Sequence, residues 1–295
     1  MSIVVTAASG HLGRLTVESL LERGVPAEEI TATTRAVDRL KDFAERGVTV
    51  RAADYTDSAS LRAAFRGADR VLLVSSGNTG FERVSEHRNV IEAAREAGAG
   101  LLAYTSVTNA QTSGMIVAED HAATEKLIAD SGLAFVFLRN NLYHENYTAR
   151  IPAFLQHGTV IGGAGEGRVS GATRADYAQA AAEVLTGQGH EDRIYELGGD
   201  PAYTLTELAA EITGQSGTEV HYRDVPEADH ARAFAEAGLP EHLVRLLADI
   251  DQGIRRGLLY TDSGDLARLI GRPTTPLSAA IATALAASAP VSTTA

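Results

Sequence analysis

Cysteine and tryptophan are absent from the 295-residue chain, and lysine occurs only as Lys41 and Lys126. Without cysteine, the chain can form no disulfide, no thiolate nucleophile and no cysteine-ligated metal site. No apolar run approaches the ~18–20 residues that a membrane-spanning helix requires. The first residues lead directly into an apolar run without a basic region or a cleavage site, so we expect no signal peptide and a cytoplasmic protein.

Acidic residues outnumber basic ones, with 38 Asp and Glu against 26 Lys and Arg, which gives a formal net charge of -12. A polyanion such as nucleic acid would be repelled by this charge, so binding through a basic surface is excluded as a function class. The hydrophobic content of 44% and the charged content of 22% are typical of a folded globular protein.

Short apolar runs alternate with amphipathic stretches through the first half of the chain. Such alternation, with strands that are apolar on both faces, is typical of a parallel sheet covered by helices. We therefore predict an α/β fold with a Rossmann-type, doubly wound parallel sheet. The predicted strands of this half are residues 3–5, 30–34, 48–51, 71–74, 101–105 and 134–138, with a helix after each of the first five.

The pattern changes after about residue 140. Residues 158–167 are rich in glycine and are predicted to form a loop. The sequence predicts a domain over 1–150, followed by a smaller, mainly helical C-terminal lobe over 151–295 that is interleaved with the last sheet elements. This lobe is predicted to contain helices at 174–186, 204–213, 226–238 and 240–254 and strands at 194–197 and 219–225.

The first predicted strand leads into the segment TAASGHLG, residues 6–13. Gly10 and Gly13 lie three residues apart as the chain enters a helix, so backbone N–H groups can approach a pyrophosphate. Ala7 occupies the position of the first glycine in the usual pattern. A small-residue turn is the alternative to a dinucleotide site. The predicted cofactor contacts in this loop are Ala8, Ser9, Gly10, His11, Leu12 and Gly13.

The end of the second strand indicates which dinucleotide is bound. NAD-binding folds place an acidic residue there to hold the ribose 2′-hydroxyl, but no acid occurs here before Asp38. Arg35 can instead form a bidentate contact with a 2′-phosphate, which predicts NADPH. The alternative is an arginine that caps the next helix or is solvated. Residues 1–150 are then the NADPH-binding domain and residues 151–295 the substrate lobe.

Polar or small side chains follow the next three strands at the same edge of the sheet. We expect these residues to border the cofactor, and plain turns are the alternative. They are Asp54 after the third strand, Ser75, Ser76 and Gly77 after the fourth, and Thr105 at the end of the fifth.

The usual proton donor of a short-chain dehydrogenase is missing. Such enzymes use a serine after the fifth strand and a Tyr-x-x-x-Lys on the next helix; here Ser106 and Lys126 are present, but Ala122 replaces the tyrosine. An alkoxide product needs a nearby acid, whereas the aromatic anion of a hydroquinone is more stable. Ser106 and Lys126 are candidate catalytic residues. For Lys126 the alternative is an exposed helix lysine paired with an acid.

Two polar clusters follow the sixth strand, where ligands bind in parallel sheets. Asn140 and Asn141 can bind a nicotinamide carboxamide, and Tyr143 and Tyr147 can stack on a flat ring. A polar helix cap with packing tyrosines, and a structural ion pair between Arg174 and Asp176, are the alternatives. The candidates are Arg139, Asn140, Asn141, Thr173 and Arg174 for the cofactor, Tyr143, Asn146 and Tyr147 for the substrate, and Tyr143 also for catalysis.

Taken together, the strings TAASGHLG, LRNNLYHENY and ATRADYA resemble the NmrA-like branch of the atypical short-chain dehydrogenases, most closely the bacterial NADPH:quinone oxidoreductases of type 2. The similarity extends from the first strand to about residue 276. The resemblance implies that NADPH is held by residues 9–13, Arg35, the turn at Gly77 and residues 139–144 and 171–176. It also implies a quinone that enters over the nicotinamide between the two lobes.

The leading hypothesis is an oxidoreductase that transfers a hydride from NADPH to a small-molecule quinone. A redox sensor that binds NADP(H) without turnover also fits the missing tyrosine, and reduction of another activated carbonyl or an enone is a third reading. We expect no nucleic-acid partner and no membrane span, and a homodimer is left open.

Overall fold

A computed structural model describes residues 1–236 and 238–288 of the chain. Residue 237, within the predicted helix 226–238, and the last seven residues of the predicted lobe lie outside the described residues. The strands are β1 (Ile3–Val5), β2 (Ile30–Thr34), β3 (Thr49–Ala52), β4 (Arg70–Leu73), β5 (Leu101–Val107), β6 (Phe135–Asn140), β7 (Thr159–Gly162), β8 (Arg193–Leu197) and β9 (His221–Asp224).

Helices connect most of these strands. They are α1 (His11–Glu22), α2 (Lys41–Glu45), α3 (Ser58–Ala64), α4 (Gly80–Glu96), α5 (Ile116–Ala129), α6 (Glu145–Thr148), α7 (Ile151–His157), α8 (Arg174–Thr186), α9 (Leu205–Ser216), α10 (Glu227–Glu236), α11 (Glu241–Arg255), α12 (Asp265–Ile270) and α13 (Leu277–Ser288). None of the helices in the described residues is long and apolar enough to cross a membrane.

Contacts divide the chain into two compact units. The first comprises Met1–Asn140, Arg174–Leu197 and Asp265–Arg272, and the second comprises Asn141–Thr173, Gly198–Gly264 and the residues from 273 onward. The functional division at residue 150 stays a prediction, because contacts alone do not report what each part of the chain binds.

The first unit is built on a parallel sheet with the strand order β3-β2-β1-β4-β5-β6-β8. The predicted doubly wound Rossmann-type sheet is thereby confirmed. The strand order reverses at β1, which lies between β2 and β4. Loops that follow β1 and β4 therefore border the crevice at the carboxyl end of the sheet, where such folds bind ligands.

The second unit is mainly helical, as predicted, and contains the short parallel pair β7–β9. The prediction of a loop over residues 158–167 was wrong for Thr159–Gly162, which form β7, and is confirmed for residues 163–167. Its glycines are needed for close packing on α11. A Cβ on Gly162 would lie 2.8 Å from Asp251 Oδ2, and one on Gly167 would lie 2.1 Å from the carbonyl oxygen of Ile254.

Several short elements departed from the sequence prediction. The predicted helix 37–45 consists of a 3₁₀ turn, Val37–Leu40, followed by α2. Helices α6, α7, α12 and α13 were not predicted. Short helices of four to seven residues carry too little periodicity to be recognised in a sequence, and α13 is almost uniformly small and apolar.

Candidate active site

The loop after β1 presents backbone N–H groups at the start of α1. Ala8 N–H donates to the Thr33 carbonyl at 2.8 Å, and Gly10 N–H donates to the Ala7 carbonyl at 2.9 Å. Helix α1 begins after Gly10 with no side-chain cap and no acidic residue in its first turn. The first N–H groups of the helix are therefore available to an anion, and the helix dipole favours one.

The glycine pattern of this loop has a geometric cause. A Cβ on Gly13 would lie 2.6 Å from the Ala7 carbonyl oxygen and 2.9 Å from the Ala8 Cα, so only glycine fits where the helix meets the loop. Ala7 has a φ of 48°, in the left-handed region that favours glycine. The alanine at the first glycine position thus costs about 1 kcal/mol of strain but leaves the course of the backbone unchanged.

The end of β2 is coupled to the same loop. Thr34 Oγ1 donates to Ser9 Oγ at 2.8 Å and accepts from the Ala36 N–H at 3.1 Å. The next residue, Arg35, is exposed, and no hydrogen bond to it occurs among residues 1–236 and 238–288. Hydrogen bonds from the N–H and hydroxyl of Thr56 lower the pKa of Asp54, and the guanidinium of Arg35 adds a smaller effect in the same direction. Arg35 therefore extends beside the loop with its donors available.

The turn after β4 is held by groups from two neighbouring elements. Ser75 N–H donates to Thr105 Oγ1 at 2.9 Å, and Ser76 N–H donates to Nε2 of the buried His87 at 2.9 Å. Burial lowers the pKa of His87 to about 3, so the imidazole stays neutral and can accept at Nε2. Its Nδ1 lies 2.9 Å from Thr124 Oγ1. No pattern in the sequence indicated that His87 supports this turn.

Ser106 and Arg139 belong to a buried carboxylate network rather than to an open site. Glu125, whose side chain is fully buried, accepts from Ser106 Oγ at 2.7 Å and from Arg139 Nε and Nη2 at 2.8 and 2.7 Å. Arg139 also donates to Glu196 at 2.8 Å. The hydroxyl hydrogen of Ser106 is therefore used by Glu125, and the guanidinium of Arg139 is held by two carboxylates. The predicted roles of Ser106 toward the substrate and of Arg139 toward the cofactor stay predictions.

Lys126 lies on the outer face of α5. Its side chain is 75% exposed, and its Nζ pairs with Asp130 at 2.7 Å. Successive helical residues are rotated by ~100°, so it is Glu125 and not Lys126 that faces the sheet. This arrangement matches the alternative interpretation of Lys126, an exposed lysine paired with an acid, and its catalytic role stays a prediction.

The two asparagines that follow β6 differ in their hydrogen bonding. Asn140 is 5% exposed, and its Oδ1 has no hydrogen-bond partner among the described residues. Asn141 is engaged within the second unit, where Nδ2 donates to the Leu259 carbonyl and Oδ1 accepts from the Leu142 N–H. Of the two, only Asn140 presents an unsatisfied buried atom to a ligand.

The polar clusters that contain Tyr143 and Thr173 meet in the second unit. Tyr143 forms a bridge with Ala172, and the His144 N–H donates to the Ala172 carbonyl at 2.9 Å. Thr173 is half-buried, as is Arg174, which opens α8 in the first unit. Asp176 is buried and pairs with Arg272 at 2.6 Å, a partner that the sequence did not indicate.

Asn146 and Tyr147 line a cavity of about 570 Å³ in the second unit. Its walls are mostly aliphatic and aromatic, with Arg150, His230 and Asp251 among the exceptions. A cavity of this size and polarity suits a small, largely apolar ligand. His230 and Asp251 were not among the predicted site residues, because each lies alone in an ordinary amphipathic helix.

Comparisons with known proteins agree with this geometry. A family model described as NAD(P)H-binding matches residues 7–188. Quinone oxidoreductase 2 of Escherichia coli strain K12 is 49% identical over 279 residues, which cover 95% of this chain and 97% of that protein. The chain belongs to the NAD(P)H-binding, NmrA-like family.

Two solved structures have the same fold as this chain. The crystal structure of the Escherichia coli NADPH-dependent quinone oxidoreductase QOR2 complexed with NADPH matches with a TM-score of 0.93 and 48% identity, over 96% of this chain and 99% of that one. The Citrobacter sp. triphenylmethane reductase complexed with NADP(H) matches with a TM-score of 0.91 and 36% identity, over 96% and 100%.

The residues of this chain fit the cofactor that the family name specifies. The loop after β1 offers the uncapped N–H groups of α1. Gly13 has no side chain, so that α1 can pack directly against the loop. Arg35 provides an exposed cation beside this loop, and Asn140 provides a buried amide oxygen without a partner. Each feature matches one part of NADPH: the pyrophosphate, the 2′-phosphate and the carboxamide.

Substitutions at the two glycines should separate folding from cofactor binding. Gly13→Ala forces a Cβ into backbone that cannot yield, and we expect a loss of stability of about 1–3 kcal/mol. The nearest contact of a Cβ on Gly10 is the Ala7 carbonyl oxygen at 3.2 Å, so the Gly10→Ala protein should fold. Its affinity for NADPH should be lower, because the phosphates of the cofactor need to approach the backbone closely. Urea unfolding and NADPH fluorescence titration measure the two effects; equal stability losses would contradict this division.

Glu125 and Lys126 form a matched pair for testing the carboxylate network. Glu125→Gln leaves the half-buried Arg139 with one carboxylate instead of two and should destabilise the protein by about 3–5 kcal/mol. Lys126→Ala removes an exposed ion pair and should cost at most about 0.5 kcal/mol, with unchanged NADPH affinity. Denaturant unfolding and titration with NADPH test both. A large loss of NADPH affinity in Lys126→Ala would contradict the interpretation of Lys126 as an exposed structural lysine.

Proposed function

We propose that this protein is an NADPH-dependent oxidoreductase that reduces quinones by two electrons. The observation that carries the proposal is the 49% identity with Escherichia coli quinone oxidoreductase 2 across 95% of the chain. The chain retains the features that this activity needs in the first unit, namely the phosphate loop, the exposed Arg35 and the unpartnered amide oxygen of Asn140.

In this proposal the loop residues 8–13 hold the pyrophosphate, and Arg35 holds the ribose 2′-phosphate. The turn at Ser75, Ser76 and Gly77 borders the crevice at the switch point, where Thr105 and His87 fix its backbone. NADPH, when bound, supplies the hydride. Asn140 orients the carboxamide of the nicotinamide through its free oxygen.

The acceptor is proposed to bind in the cavity that Asn146 and Tyr147 line, with Tyr143 on the same segment. Its apolar walls exclude water and favour a flat conjugated ring. The chain needs no nucleophile for this chemistry, so that positioning and desolvation provide most of the catalysis. The replacement of the usual tyrosine by Ala122 is compatible with a quinone, because its reduced anion is aromatic.

A cytoplasmic location and association into a homodimer stay predictions. Light scattering after size-exclusion chromatography decides the second.

Turnover with quinones is the direct test of the proposed activity. Purified protein should oxidise NADPH when a benzoquinone or naphthoquinone from a panel is added. The measurement is the acceptor-dependent loss of the near-ultraviolet absorbance of reduced nicotinamide. An NADP(H) sensor would bind the cofactor without oxidising it, and an enone reductase would act on conjugated enones alone. Either result would overturn quinone reduction as the function.

Arg35→Ala tests the cofactor preference. Hydrogen bonds to charged groups contribute about 1.5–3 kcal/mol, so the NADPH dissociation constant should rise about 10- to 100-fold. NADH lacks the 2′-phosphate and should be affected little. Arg66→Ala removes another exposed arginine, on the turn after α3, and should change neither affinity. An equal loss for NADPH and NADH in Arg35→Ala would remove Arg35 from the phosphate site.

A further inference from the structure

The cavity of the second unit has one polar corner in otherwise apolar walls. Aliphatic and aromatic side chains such as Val160, Leu205 and Phe234 form most of its lining. His230 from α10 and Asp251 from α11 also line it, and they are only 3% and 7% exposed. Buried ionisable groups are costly without a partner, so their presence on the wall of a ligand-sized cavity calls for a function.

The side chains of His230 and Asp251 lie close together, and part of their hydrogen-bonding capacity is unused. His230 Nδ1 lies 3.3 Å from Asp251 Oδ2, yet Nδ1 makes no hydrogen bond within the described residues. The imidazole packs against the Phe234 ring with a centroid distance of 4.4 Å. The Gly163 N–H donates to Asp251 Oδ2 at 2.7 Å and fixes the carboxyl group. The orientation of both groups is therefore set by the protein before any ligand binds.

The surroundings favour one labile proton on this pair. Burial raises the pKa of Asp251 and lowers that of His230, so both groups favour their neutral forms. The other charged groups that act on the pair are Arg150, which lowers both pKa values, and Asp224, which raises that of Asp251. A carboxyl group whose pKa burial raises, beside an imidazole whose Nδ1 has no hydrogen-bond partner within the described residues, is placed to donate a proton to a ligand in the cavity.

We propose that the His230–Asp251 pair delivers the proton that completes reduction of the acceptor in this cavity. The proposal rests on the proposed quinone reductase function and supplies the acid that its short-chain dehydrogenase pattern lacks. It assigns a catalytic role to two residues on α10 and α11, outside the motifs that mark the family.

The step balances in atoms and electrons. NADPH would supply a hydride by breaking a C–H bond of its nicotinamide, which brings two electrons and one hydrogen to the quinone. One O–H bond then forms, and the other oxygen is left as a phenolate. The O–H or N–H bond of the pair then breaks, and a second O–H bond forms on the phenolate to give the hydroquinone. The cofactor is left oxidised, and the pair regains its proton from solvent.

Two substitutions remove the proton donor while preserving shape. Asp251→Asn keeps an oxygen to accept from the Gly163 N–H, and His230→Phe keeps an aromatic ring against Phe234. His221→Phe and Glu219→Gln are matched controls, because they alter an exposed histidine–carboxylate pair at 3.1 Å that does not line the cavity. Thermal unfolding and NADPH titration establish that each variant is folded and binds cofactor.

The measurements are kcat and KM for a series of quinones that differ in electron-withdrawing substituents, each across a range of pH. We expect kcat to fall about 10- to 100-fold in both cavity variants with electron-rich quinones, whose reduced anions are the most basic. The loss should shrink as the substituents become more electron-withdrawing. In the unaltered protein, kcat should fall as the pH rises above the apparent pKa of the pair, and this dependence should be absent from the variants.

The outcomes separate this proposal from the one on which it rests. No turnover of any quinone by the unaltered protein would overturn both. Normal turnover with the same kcat and pH profile in Asp251→Asn or in His230→Phe would overturn the role of the pair alone. A loss that is the same for every quinone would also overturn it, because a change of cavity shape does not follow the basicity of the product.

Discussion

The junction between β1 and α1 is the constraint on which the cofactor-binding unit depends. The helix lies so close to the loop that a Cβ at Gly13 would be 2.6 Å from the Ala7 carbonyl oxygen. This proximity aims the first N–H groups of α1 into the crevice, and the bond from Ala8 to Thr33 anchors the loop to β2. Because β1 is also the strand at which the sheet order reverses, one junction sets both the anion site and its position at the switch point.

A second constraint lies at the ends of β5, β6 and β8. Glu125 is fully buried yet accepts hydrogen bonds from Ser106, Gln111 and Arg139, so its charge is both paired and solvated by the protein. Glu196 extends the same network through Arg139, Thr108 and Asn109. Ser106, which in a typical short-chain dehydrogenase would meet the substrate, belongs to this network, which links α5 to the ends of the three strands.

This use of Ser106 and Arg139 changes where the acid chemistry can occur. With Ala122 in place of a tyrosine and Lys126 facing solvent, α5 does not present the Tyr–Lys pair of a typical short-chain dehydrogenase. A quinone needs less help than a ketone, since its reduced form is an aromatic anion. Quinone reduction then requires a pocket that excludes water and contains one proton donor. The cavity of the second unit combines apolar walls with the ionisable side chains of His230 and Asp251.

The sequence by itself determined the doubly wound sheet, the phosphate loop and the family, because these follow from local spacing: apolar runs of strand length, glycines three apart and contiguous strings. Only the tertiary structure decided which polar residues are free. Lys126 and Glu125 are neighbours in the chain, but the ~100° step of the helix exposes one and buries the other. The partnership of Glu125 with Arg139, and of His230 with Asp251, joins residues 14 and 21 positions apart, a proximity that depends on packing between elements. The phosphate loop is thus readable from local pattern, whereas the roles of the acids and bases around it depend on contacts that no local pattern records.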